Sequence, residues 1–204
     1  MSFDSKQHWE TIYQTKSANE VSWTQAVPEL SLDLIKALDL QKDAAIIDIG
    51  GGDSNLVDHL LKQGYTNLTV LDISPSAIEK AKSRLGNKAH LVQWIVSDIL
   101  DFEPETTYQV WHDRAAFHFQ TESDAIKQYL TKVQNANAEH LIIGTFSVDG
   151  PIKCSGINIH QYDENSLPKT FSAIGYTNAG CSRHQHKTPF GTIQDFIFCH
   201  FKKA

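Results

Sequence analysis

The run Ile46-Ile47-Asp48-Ile49-Gly50-Gly51-Gly52-Asp53-Ser54 constrains this chain more than any other stretch of it. A short apolar segment ends in an acid, three glycines follow, and Ser54 can cap a helix. The apolar segment reads as a buried strand; Leu56, Val57, Leu60 and Leu61 mark one face of a helix closed by Gly64. Glycine suits the turn because a side chain there would keep a ligand from the backbone. Strand, glycine turn and helix start together build the crevice in which open parallel sheets bind nucleotide-like molecules. The spacing Asp-x-Gly-x-Gly-x-Ser differs from the Gly-x-Gly-x-x-Gly of dinucleotide folds, and the Gly-Lys-Ser/Thr ending of a phosphate loop is missing.

The next segments repeat the logic. Leu68 to Leu71 is a second strand ending at Asp72, 24 positions after Asp48. That is close to where doubly wound folds place the acid that accepts bonds from a ribose diol. Ser74-Pro75 then reads as a cap followed by proline at the first helical position, with Ala77, Ile78, Ala81 and Leu85 on the apolar face and Gly86 as the stop. A third strand, His90 to Val96, leads to Ser97-Asp98-Ile99, where an acid can bond an adenine amino group. Three successive strands finish with an acid at their carboxyl ends.

These motifs resemble the class I S-adenosylmethionine-dependent methyltransferases, with Asp48 to Gly52 as the glycine loop, Leu71-Asp72-Ile73 as the ribose acid and Ser97-Asp98-Ile99 as the adenine end. The resemblance covers roughly residues 28 to 204. It implies S-adenosylmethionine as cofactor, a doubly wound, Rossmann-like α/β fold with a seven-stranded sheet and helices on both faces, and methyl transfer. Cofactor contacts fall on Asp48, Gly50, Gly51, Gly52, Asp72, Ile73, Asp98 and Ile99. Trp9-Glu10-Thr11-Ile12-Tyr13 is similar to the opening of the small Trp-Glu-x-x-Tyr methyltransferases, which include lysine methyltransferases of citrate synthase and of elongation factors. On that likeness residues 1–27 are a lid segment and 28–204 the methyltransferase domain. Trp9, Tyr13 and Trp23 are lid aromatics able to face a sulfonium, or else packing anchors. Where the group carries Asp-Lys-Gly after the fourth strand, this chain has Asp113-Arg114-Ala115, which leaves the acceptor open between a protein lysine and a small-molecule nitrogen, oxygen or sulfur.

Chemistry is expected beyond the fourth strand, Tyr108 to Asp113, in Trp111-His112-Asp113-Arg114-Ala115-Ala116-Phe117-His118-Phe119. Asp113 would orient a nucleophile or meet the methionine part of the cofactor. Arg114 would hold a carboxylate of cofactor or substrate, or pair with a neighbouring acid. His118 would accept a proton, or sit as a hydrogen-bonded core histidine. Phe117 and Phe119 are pocket wall or core.

The remaining chain alternates helix and strand. Helices are expected over 5–15 and 28–40, over a segment opened by Thr121-Glu122-Ser123-Asp124 in capping-box spacing, and after Asp163, where Pro168 should kink or shorten the helix. Strands are expected at Leu141 to Phe146, Tyr176 to His184 and Thr192 to Phe201, the last apolar on both faces and so interior. His184 and His186 share a strand face near Cys154, His160 and Cys181, but no metal-binding spacing accompanies them and a polar rim is the plainer reading. The loop from Ser147 to Tyr162 is a substrate-facing candidate, and Cys154 a buried thiol without an assignable base.

A net charge of −6 with scattered Lys and Arg gives no basic field for nucleic acid or anionic lipid. Three separated cysteines suit a reducing cytoplasm and argue against a disulfide framework. Neither a signal core nor a stretch of ~20 apolar residues is present, so no membrane association is expected. Two other classes stay in view: a nicotinamide-dependent oxidoreductase, against which the glycine spacing speaks, and a non-catalytic cofactor-binding scaffold subunit. Oligomeric state is open.

Overall fold

The computed structural model describes residues 3–204; Met1 and Ser2, the start of the expected lid segment, lie outside the described residues. In chain order the elements are α1 (Ser5–Thr15), α2 (Glu29–Ala37), β1 (Ile46–Ile49), α3 (Leu56–Lys62), β2 (Leu68–Asp72), α4 (Pro75–Leu85), β3 (Val92–Val96), β4 (Val110–Arg114), α5 (Ser123–Ala136), β5 (His140–Phe146), β6 (Lys153–Cys154), β7 (Ile157–Asn158), α6 (Ser166–Ser172), β8 (Tyr176–Lys187) and β9 (Ile193–Lys203). Seven strands form one sheet in the order β3-β2-β1-β4-β5-β9-β8. The first five are parallel, and β9 runs antiparallel to both β5 and β8.

Strand alternation divides the interior. Ile47 and Ile49 of β1 join the layer completed by Tyr129 and Val133 of α5 and Leu167 and Phe171 of α6. Ile46 joins the opposite layer, with Leu32 and Ile35 of α2, Leu56 and Leu60 of α3 and Ile78 of α4. Helices therefore cover both faces, as the unbroken apolar strands require. Phe196 to Cys199 and Phe201 of β9 are all buried, which accounts for its two-sided apolar pattern.

Local signals fix most ends. Ser74 Oγ accepts from the Ala77 amide at 3.1 Å with Pro75 behind it, and α5 stops at Asn137, which is left-handed at φ +50°. Three expectations change. The capping box over Thr121–Asp124 is not made: α5 starts after Glu122 without a side-chain cap, and Asp124 instead sits in the first turn, where its charge suits the helix dipole. Pro168 falls in the first turn of α6, where its missing N–H forfeits no helical bond, so the seven-residue helix starts at Ser166 and not at Asp163. The cysteines do not all stay apart: Cys181 and Cys199 face each other across the β8–β9 pair and form a disulfide. An antiparallel hairpin brings residues 18 apart in sequence into register, which spacing alone does not reveal.

No helix among the described residues is long and apolar enough to cross a membrane.

Candidate active site

A cavity of about 240 Å³ opens at the carboxyl ends of β1 to β4, beneath the N-terminal segment. It is a little smaller than the ~300 Å³ from which small-molecule pockets usually begin. Its floor is the glycine turn. The amide of Gly52 donates to Asp72 Oδ2 at 3.0 Å, and the Ser74 amide donates to Oδ1 at 2.8 Å. Burial raises Asp72 from the usual 3.8 to about 7, against the pull of those two amide bonds. Asp72 faces the cavity with lone pairs to spare. Asp98 also lines it, with Oδ1 accepting from the Leu100 amide, and Ile73 and Ile99 supply apolar wall.

The glycines owe their place less to a ligand than to the chain's own acids. A Cβ on Gly51 would stand 2.4 Å from Asp48 Oδ2, and one on Gly52 would stand 2.5 Å from Asp72 Oδ2 and 2.6 Å from the Ala77 Cβ. Gly50 turns the chain at φ +65°. Gly50 and Gly51 line the cavity, whereas Gly52 lies outside its wall and acts through its amide on Asp72. Arg84 of α4 clamps the outside of the turn, bonding Asp53 Oδ1 at 2.6 Å, Asp58 Oδ2 at 2.9 Å and the Ser54 carbonyl at 2.7 Å.

Trp9, Tyr13 and Trp23 line the cavity together with Phe119. Trp9 packs edge-on against Trp23 at 5.7 Å and Phe119 at 5.1 Å, and Tyr13 lies 6.1 Å from Trp23. Glu10 anchors this cluster. Its carboxylate accepts from Ser74 Oγ at 2.6 Å, from Ser76 Oγ at 2.5 Å and from the Ser76 amide at 3.1 Å. Burial works against the charge, but these bonds prevail and hold Glu10 at about 2. His186 of β8 secures the other end of the segment, its Nε2 donating to the Ser22 carbonyl at 2.6 Å.

The structure separates the three candidates after β4. Arg114 lines the cavity; Asp113 and His118 do not. Asp113 is fully buried on the opposite face, where Oδ1 accepts from the amides of Ala116 and Phe117 at 2.9 and 3.1 Å and Oδ2 from the Tyr129 hydroxyl at 2.5 Å. His118 is also fully buried; its Nδ1 accepts from the Phe146 amide, and burial, then the nearby Arg114 charge, pushes it down to about 3. It stays neutral and outside the cavity lining, in the core-histidine place that was its alternative reading, whereas the placement of Asp113 corrects the expectation that it meets cofactor or nucleophile. Period-two alternation is the reason: His112 and Arg114 share one face of β4 and Asp113 takes the other. The same rule identifies His112 as the overlooked residue. Its Nδ1 lies 2.7 Å from Asp48 Oδ1 and its Nε2 2.9 Å from Ser31 Oγ, and all three residues line the cavity. A carboxylate only accepts, so Nδ1 donates to Asp48 and Nε2 faces the Ser31 hydroxyl. Cys154 of β6 completes this wall; burial pushes its thiol up to about 11, so it is no ready nucleophile.

Residues 46–139 match the sequence model of a methyltransferase domain. Over that stretch the chain is similar to methyltransferase domains. Over 113 residues it is 28% identical to the eEF1A lysine and N-terminal methyltransferase of Mus musculus, covering 55% of this chain and 16% of that protein. Over 103 residues it is 34% identical to the malonyl-[acyl-carrier protein] O-methyltransferase of Anoxybacillus flavithermus, covering 50% of this chain and 38% of that protein. The chain thus spans well under half the length of either curated relative. Its fold also superposes on the 1,6-didemethyltoxoflavin-N1-methyltransferase of Burkholderia thailandensis, solved with bound S-adenosylhomocysteine, with a TM-score of 0.68, 17% identity and coverage of 98% of this chain and 84% of that one. The cavity residues suit an adenosyl group: a buried acid with free lone pairs, a glycine turn closed to side chains, and an apolar slot ending in a second acid.

Proposed function

We propose that this protein transfers a methyl group from S-adenosylmethionine to an acceptor bound at the Arg114 side of the cavity. The observation that carries the reading is the convergence, in one cavity, of Asp72, Asp98, the glycine turn and four aromatic rings. When bound, the cofactor supplies an electrophilic methyl group on a sulfonium, displaced in line. Asp72 would accept from the ribose hydroxyls, Asp98 would serve the adenine end, and Ile73 and Ile99 would flank the ring. Trp9, Tyr13, Trp23 and Phe119 would shut out water and face the sulfonium, which makes residues 3–27 a lid. Ser31 is placed to take a proton from the acceptor and hand it to His112, whose imidazolium Asp48 would stabilise.

Calorimetric titration with S-adenosylhomocysteine against NADH, followed by transfer from labelled S-adenosylmethionine into a fractionated lysate, tests the proposal. Binding of the first nucleoside only, with label passing to an acceptor, is expected. Tight binding without any transfer would favour a scaffold subunit instead.

A further inference from the structure

The chain contains three arginines, and two of them close on carboxylates. Arg84 grips Asp58 and Asp53, and Arg183 holds both oxygens of Glu164 and one of Asp149. Arg114 forms no ion pair among the described residues, although it is the arginine set into the cavity wall. Its Nη1 donates to the Trp23 carbonyl at 3.1 Å, its guanidinium lies 5.0 Å above the Phe196 ring, and its Nη2 is buried with no hydrogen-bond partner. A half-buried cation whose inner edge has neither hydrogen-bond partner nor counter-ion is costly enough that its presence calls for an anion.

No carboxylate among the described residues pairs with Arg114. Asp48 lies near enough for its charge to favour the guanidinium, but it is bonded to His112, and Asp113 points to the other face of β4. The other groups around Arg114 whose titration it shifts add no negative charge. His118, His184 of β8 and His186 of β8 are each held down by burial and by the Arg114 charge, and the Cys154 thiol is pushed up. Placement separates this site from the nucleoside end. Asp72 and Asp98 follow β2 and β3, on one side of β1, while Arg114 ends β4 on the other side and stacks on β9.

We propose that Arg114 recognises a methyl acceptor that bears a carboxylate, whose oxygens take the unpartnered Nη2 edge of the guanidinium. This deepens the methyltransferase reading and rests on it. A lysine acceptor would bring its ammonium against the guanidinium, an arrangement that like charge opposes. The methionine carboxylate of the cofactor is the other source of the same chemistry, and the experiment distinguishes the two.

The probes are aliphatic and aromatic carboxylic acids, each paired with its primary amide, and a lysine-containing peptide. All are titrated into the protein saturated with S-adenosylhomocysteine. We expect acids to bind and their amides not to. Arg114→Gln should weaken acid binding by about thirtyfold, as for a buried charge pair losing one partner, and Arg114→Lys should recover part of it. S-adenosylhomocysteine affinity of Arg114→Gln should stay within about twofold of wild type, well short of the tenfold that ~1.4 kcal/mol represents. A loss of nucleoside affinity beyond about tenfold in that variant would assign Arg114 to the cofactor and overturn the proposal. So would tighter binding of the peptide than of every acid, or no acid binding to a protein that does bind S-adenosylhomocysteine. Failure of wild type to bind S-adenosylhomocysteine would remove the methyltransferase reading and this inference with it.

Discussion

The ends of β2 and β4 carry the same residue type in the same topological place, yet they do different work. Asp72 and Asp113 are both buried, both accept two backbone amides, those of Gly52 and Ser74 for Asp72 and of Ala116 and Phe117 for Asp113, and both are raised by burial, to about 7 and about 6. Asp72 keeps an edge toward the cavity. Asp113 spends its remaining oxygen on Tyr129, whose hydroxyl also accepts from Trp111 Nε1 at 2.9 Å, and so ties β4 to α5. An acid at a strand end is therefore a site residue or a rivet according to the face it takes, and one residue of register decides between them.

The sharpest way to break this comparison is Asp113→Ala. Two amides and the buried Tyr129 hydroxyl lose their acceptor, at roughly 1–3 kcal/mol each, partly offset by removing a buried charge. A net loss of about 3 kcal/mol in urea denaturation is expected, with S-adenosylhomocysteine affinity unchanged in whatever fraction folds. A selective loss of affinity at intact stability would put Asp113 back in the site.

Asp72→Asn should do the reverse. Nucleoside affinity should fall by about 1.5–3 kcal/mol, the range for hydrogen bonds to a charged group, while the fold persists. The acid titrates high in the folded protein, so its burial favours the protonated form. Its contribution to stability is complete below the usual 3.8 and is lost as pH climbs through about 7. Wild-type stability should thus drop between about pH 4 and pH 7, and the slope should flatten in the Asn variant. Binding has the opposite sign, because ribose hydroxyls favour the carboxylate: wild-type affinity should rise from about pH 6 to pH 8, and that of the variant should not. A flat wild-type profile would dissociate Asp72 from the ribose.

Two smaller changes sharpen the contrast. Ala115, which follows Arg114, holds a left-handed φ of +70°, a conformation glycine adopts without strain. Ala115→Gly should raise stability by up to about 1 kcal/mol net of the entropy glycine adds to the unfolded chain, and a decrease would mean that the turn is unstrained. At the β2 end, Glu10→Gln weakens the tie between α1 and the start of α4. Because solvent screens that carboxylate, a cost under about 1 kcal/mol is expected, seen as faster proteolysis within residues 3–27 and not as global unfolding. Equal protease resistance would release Glu10 from the tether role.

Much of the fold could be read from residues near one another in the chain. The apolar run to Ile49, the glycine turn, the Ser74-Pro75 cap and the two-sided pattern of β9 are statements about neighbours, and each became the expected element. Asp72 and Asp98 were legible for the same reason, since each closes its strand at a spacing set by one helix and one turn. The β4 segment resisted because Trp111 to Phe119 offers polar groups to both faces, and alternation says only that His112 and Arg114 go together.

Sequence by itself determined the strand and helix order, the glycine turn and the acids that follow β2 and β3 at the cavity, because backbone propensity and turn chemistry act over a few residues. Tertiary structure decided the rest. His112 meets Asp48 across 64 positions and Ser31 across 81, Arg114 meets Trp23 across 91, and Cys181 meets Cys199 only through a hairpin register. Those pairings depend on which face of the sheet each side chain is given and which segment is packed over it, and burial settles both for the whole chain at once.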